Sequence, residues 1–169
     1  MKSIALHSRI LGCLALLAGM IFAAASADAA TVVALGASNT YGKGVERGQD
    51  YPAQLEAILR ARVSSIQVIN AGINGDTTEG MLNRLDSAVP NGTKVVILQP
   101  GGNDRRKGGT DRTAEIQSRL KARGIRVIMM PNNMMRGLPH QPDGQHLTPE
   151  GYHMLAAAIA PQVAGAVGR

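Results

Sequence analysis

Apolar residues in this chain gather into four short runs separated by longer stretches of helical periodicity. Residues 31–35 read Thr-Val-Val-Ala-Leu and pass without a charged interruption into Gly36. A run of that length and composition fits a strand buried on both faces. Comparable runs occupy residues 66–70, 94–98 and 125–130. Between them, residues 51–62 set Leu55, Ile58 and Leu59 at helical spacing, with Pro52 near the start. Residues 77–88 put Met81, Leu82 and Leu85 on one face of a second helix, with Pro90 beyond its end. Residues 113–123 form a third, closed by Gly124, and Thr148 can cap a last helix that has Pro149 at its first position. Strands alternating with helices through short loops predict an α/β fold whose parallel sheet is covered on both faces. Ligands of such open sheets bind beyond the carboxyl ends of the strands. No internal repeat, low-complexity tract or second domain interrupts the pattern.

Residues 1–29 stand apart from it. Lys2 and Arg9 begin the segment, residues 10–25 are apolar, and Ala27-Asp28-Ala29 has the small-x-small form of a signal peptidase site. The apolar run is too short and too rich in Ala and Gly for a membrane anchor. A signal peptide over 1–29 and a single domain over 30–169 are therefore expected, with a periplasmic or secreted location. The sole cysteine, Cys13, falls in the leader, so the remaining domain of about 140 residues has neither disulfide nor thiol chemistry. The net charge is +6, and because the leader holds Lys2, Arg9 and Asp28, the remainder stays near +5. Arg105-Arg106-Lys107 and the series Arg119, Lys121, Arg123 and Arg126 carry most of the clustering. With no aromatic residues interleaved, these read as a solvated loop and helix face, weakly attracted to anionic envelope surfaces, and not as a nucleic-acid site.

Four blocks bring chemistry to the strand ends: Gly36-Ala37-Ser38-Asn39, Asn70-Ala71-Gly72, Gly101-Gly102-Asn103-Asp104 and Asp143-Gly144-Gln145-His146. Ser38 follows the first strand by a tight turn; it is either a helix cap or, given a neighbouring base, a nucleophile. His146 is the candidate base, because Asp143 lies three residues before it, within one turn's reach of the imidazole, and can fix its tautomer. The other histidines of the domain, His140 and His153, read as surface or satisfied residues. Gly72 follows the second strand and Asn103 the third, where either could equally be a turn residue. A zinc site built from Asp76, Asp104, Asp143 and His146 is disfavoured by the lack of cysteine and of paired-histidine spacing. Asp104 and Asn74 are expected to organise loops.

The four blocks in this order resemble those of the SGNH/GDSL hydrolases, serine esterases and thioesterases on a flavodoxin-like α/β fold. The resemblance runs from about Thr31 to the C-terminus. It implies a three-layer α/β/α domain with a four- to five-stranded parallel sheet. It further implies a catalytic Ser38, Asp143 and His146, and an oxyanion hole made of the Ser38 and Gly72 backbone N–H groups and the Asn103 side chain. The expected activity is hydrolysis of a small ester, thioester or acylated substrate through an acyl-enzyme, by a monomer without metal or organic cofactor. Two features depart from the family. Ala37 stands where relatives have Asp, and only 38 residues separate Asp104 from Asp143, where relatives commonly carry a further helix and strand. Residues 134–138 then either replace the missing edge, pack over the core or line an acyl pocket. These departures keep open the alternative of a non-catalytic carbohydrate- or lipid-binding envelope module.

Overall fold

The computed structural model describes residues 31–168; the leader at 1–29 lies outside the described residues. Strand β1 (Thr31–Gly36) leads through helix α1 (Ser38–Tyr41) and α2 (Tyr51–Arg60) to β2 (Gln67–Gly72). Helices α3 (Thr78–Asn83) and α4 (Leu85–Ala88) precede β3 (Thr93–Gln99), and α5 (Asn103–Lys107) and α6 (Thr113–Ala122) precede β4 (Arg126–Met129). A 3-10 turn (Asn132–Met135) and the long α7 (Pro149–Val167) complete the domain. No described helix is long and apolar enough to cross a membrane.

The sheet is parallel throughout, in the order β2-β1-β3-β4. Alternation along β1 and β3 divides the core in two. Val32, Ala34, Val95 and Ile97 face α2 and α7, where Leu55, Leu59, Leu155 and Ile159 meet them. Val33, Leu35, Val96 and Leu98 face the opposite layer, packing on Met81, Leu82, Ile116 and Leu120. Being buried on both sides explains why these strands read as unbroken apolar runs. The α7 start follows the expected chemistry, with Thr148 accepting from Gly151 N–H, and Asp50 caps α2 in the same way by accepting from Ala53 N–H.

Three details differ from the sequence expectation. The helix expected over 77–88 is broken at Arg84, which leaves the helical conformation. Its guanidinium pairs with Asp76 and donates to the carbonyls of Gly36 and Ala71, satisfying the ends of β1 and β2. A short helix, α5, begins at Asn103 where only a loop was expected. Residues 134–138 add no strand: Met135 is buried against α7, and β4 is left as the edge. Beside that open edge a hollow of about 1110 Å³ lies between α6, β4 and α7, lined by neither histidine nor carboxylate among the described residues.

Candidate active site

β1 and β3 are adjacent, yet the chain leaves β1 for β2 on one side and continues from β3 to β4 on the other. A crevice opens at the carboxyl ends of such a pair, and here it is a cleft of about 450 Å³ whose walls include Ser38, Asn103 and His146. Ser38 begins α1, directly after β1. The turn that presents it is held from outside: Gln99 Oε1 at the end of β3 accepts from Ala37 N–H and from Thr40 Oγ–H. Gln99 in turn donates to Asn132 Oδ1. Ala37, standing where the family has Asp, is buried, so this turn is fixed through the backbone and not through a side chain at position 37.

His146 comes from the loop before α7, 108 residues away in sequence, and Ser38 Oγ–H donates to its Nε2 over 2.9 Å. On its other side, Nδ1–H donates to Asp143 Oδ2 over 2.5 Å. Asp143 also accepts from the backbone N–H groups of His146 and Gln145, curling the loop so that carboxylate and imidazole meet. The His146 side-chain hydrogen bond, followed by these backbone donors, holds the Asp143 carboxyl well below the usual carboxylate range. His146 itself is buried, at 6% exposure, and shielded from bulk water. Asn39 locks the loop to the Ser38 turn: its Nδ2 donates to Gln145 O, while its Oδ1 accepts from the Tyr152 hydroxyl of α7. Nothing in the spacing of the sequence distinguished Asn39, although it immediately follows Ser38.

Asn103 lines the same cleft, one N–H of its amide donating to Asp76 O and its Oδ1 accepting from Arg106. The second N–H has no partner among the described residues. Asp104 is turned inward onto the Thr78 N–H and hydroxyl, the loop-organising role expected of it. Asp76, Asp104 and Asp143 thus each answer to a different partner, Arg84, Thr78 and His146. His140 lines the cleft wall, with Nδ1–H donating to Leu138 O. His153 lies outside the cleft, its Nδ1–H donating to Gln54 Oε1.

Gly72 is a correction. It is the last residue of β2, its N–H donates to Asn70 Oδ1, and it lines a separate depression with Tyr41 and Asp50. The reason for glycine there is space: a Cβ would stand 2.1 Å from Tyr41 N and 2.6 Å from Thr40 C. Those are backbone atoms of α1, which cannot move without moving Ser38. Gly72→Ala is therefore expected to destabilise the fold by about 1–3 kcal/mol, the usual cost of overpacking, as measured by urea unfolding. The turn that Asn103 touches lies further on. Gly75, in the left-handed region at φ +73°, precedes Asp76, and its N–H has no acceptor among the described residues. The sequence carries a turn signal there, Asn74-Gly75-Asp76, two residues beyond the glycine that ends β2.

A model of the GDSL-like Lipase/Acylhydrolase family matches residues 34–166, from within β1 almost to the end of α7. Esterase TesA of Pseudomonas aeruginosa is 29% identical over 125 residues, covering 70% of this chain. The match takes in only 60% of that relative's length. Among solved structures, AlinE4, an SGNH-hydrolase family esterase, is 28% identical with a TM-score of 0.52, covering 83% of this chain and 73% of its own. The esterase EstA from Pseudoalteromonas shares the fold at a TM-score of 0.68 and 17% identity, over 82% of this chain and 99% of its own. With the match spanning both the four-stranded sheet and every residue gathered around the cleft, the chain belongs to the GDSL-like lipase/acylhydrolase family.

Proposed function

We propose that this protein is an exported serine hydrolase that cleaves carboxylic esters or thioesters through an acyl-enzyme. The observation that carries this reading is the unbroken line of hydrogen bonds from Ser38 Oγ through His146 to Asp143 at the mouth of the cleft. A serine hydroxyl is a poor nucleophile until a base takes its proton, and His146 Nε2 is at hydrogen-bond distance to do so. Asp143, kept ionised, fixes the tautomer in which Nε2 is free to accept.

Ser38 Oγ attacks the acyl carbon as its proton passes to His146 Nε2. The carbonyl oxygen becomes an oxyanion, for which the Ser38 N–H and the free N–H of Asn103 are the donors. The Gly75 N–H, beside the peptide that Asn103 touches, is assigned the backbone role that the family resemblance implied for Gly72. Collapse of the intermediate expels the alcohol or thiol, which takes the proton from His146. Water then attacks the acyl carbon as His146 takes its proton; collapse releases the acid, and His146 returns the proton to Ser38 Oγ. A module that only binds ligand has no need for a serine, a histidine and an aspartate held in this order.

An organophosphonate probe is expected to label the protein once, at Ser38. Intact-mass analysis that finds no adduct, or one on another residue, would overturn the nucleophile assignment. Asn103→Ala removes one oxyanion donor and is expected to lower kcat by roughly a hundred- to a thousand-fold on a short-chain aryl ester. Export rests on the leader residues 1–29, and sequencing the N-terminus of exported protein should find it near Ala30 or Asp28.

A further inference from the structure

The cleft around Ser38 carries a one-sided charge that acyl transfer alone does not require. Its walls include Arg105 and Arg106 of α5 and Arg136 after the 3-10 turn, and among the described residues no Asp or Glu lines it. The acids nearest in sequence are already engaged, Asp104 by Thr78 and Asp143 by His146. Elsewhere the chain pairs its arginines readily: Arg60 with Glu56, Arg84 with Asp76, Arg112 with Glu79 and Arg119 with Glu115. None of the three cleft arginines makes an ion pair among the described residues. Arg106 is used within the site, donating to the neutral oxygens of Gln145 and Asn103. Arg105 and Arg136 have no such engagement and are exposed.

The rest of the lining points the same way. Among the described residues only Ala37 and Met135 offer apolar side chains to the cleft, the others being polar, cationic or glycine. A long acyl chain finds little surface there on which to leave water. An anionic group finds guanidinium forks, which bind carboxylate and phosphate oxygens in pairs and concentrate anions in a cleft with no opposing charge. The sequence assigned Arg105 and Arg106 to a solvated loop because nothing in it indicated that α5 starts at the cleft's edge.

Resting on the hydrolase reading above, we propose that the substrate is a short ester or thioester carrying a carboxylate or phosphate close to the scissile bond. Arg105 and Arg136 hold that anion, and Arg106 keeps Asn103 and the His146 loop in place.

Binding tests this without relying on turnover. The full chain bearing Ser38→Ala is titrated calorimetrically with three pairs of ligands. Mono-4-nitrophenyl glutarate against 4-nitrophenyl pentanoate places a carboxylate on the acyl side. 4-Acetoxybenzoate against its methyl ester places one on the alcohol side, and 1-acetylglycerol 3-phosphate against 1-acetylglycerol places a phosphate there. In at least one pair the anion is expected to bind about tenfold or more tightly. That preference should shrink toward unity in about 0.5 M salt and on adding Arg105→Gln or Arg136→Gln, while Arg136→Lys keeps part of it. Equal affinities in all three pairs overturn the proposal, and so does a preference that survives salt and both glutamine variants. The salt series needs no further substitution, so a variant that fails to fold does not decide the outcome. If the unsubstituted protein labels at Ser38 but no pair discriminates, only the anionic substrate falls. If the anion is preferred but no ester is turned over, the hydrolase reading falls instead.

Discussion

Ser38→Ala and His146→Ala are each expected to lower kcat on a short-chain aryl ester by on the order of 10⁵- to 10⁶-fold, with the double variant little worse than either. The reason is that the two groups perform one event. Without Oγ there is no nucleophile, and without Nε2 at 2.9 Å the hydroxyl keeps its proton. Removing the second partner of a single step takes away nothing that the first removal left. Activity that remains comes from the oxyanion donors and from binding. His153→Ala is the control: its ring is tied to Gln54, away from the cleft, and kcat should stay within about twofold, as expected for a histidine outside the reaction. Losses that multiply in the double variant would mean that serine and histidine act independently, and the acyl-enzyme mechanism would not stand.

Asp143→Asn is expected to cost on the order of 10⁴-fold in kcat while leaving the fold intact. The amide fills the same space and its oxygen can still accept from the backbone N–H groups of Gln145 and His146. Its NH₂, however, can donate to His146 Nδ1, which favours the tautomer with the proton on Nε2, and that nitrogen can then no longer accept from Ser38. The same geometry makes a statement about pH. The folded-state pKa of Asp143 is depressed, so the carboxylate is present above the ordinary carboxylate range and is lost only as the pH falls through the lowered folded value. Asp143 should therefore add no ionisation to the acid limb of kcat/KM in mildly acidic buffer. A loss of kcat/KM in that range that tracks protonation of Asp143 would contradict the hydrogen bonds it accepts.

Much of the fold was legible in the chain because its strands are buried on both faces. That burial demands continuous apolar runs, and each of the four runs became a strand of the parallel sheet. The start of α7 was legible because Thr148 caps its own helix, as the structure places it. The break at Arg84 was not legible, because its cause is a guanidinium reaching the carbonyls of Gly36 and Ala71, 48 and 13 residues away. The short α5 escaped notice because five residues of mixed charge carry no periodicity.

The chemistry divides in the same way. The sequence by itself determined which groups are present: a serine after the first strand, an Asp-x-x-His pair near the end, and a domain without a thiol. An acid three residues from a histidine is a local arrangement that one turn can close, so that pairing was readable before any fold was known. Only the tertiary structure decided what meets across the chain. It set Ser38 against His146 over 108 residues, held the Ser38 turn through Gln99 and joined Asn39 to the histidine loop. It also separated two glycines that look alike in sequence, leaving Gly72 pressed on the backbone of α1 and Gly75 at the turn beside Asn103. And it turned three arginines toward the cleft. These are contacts between distant segments, fixed by how the two sheet faces pack, and side-chain identity along the chain carries no record of them.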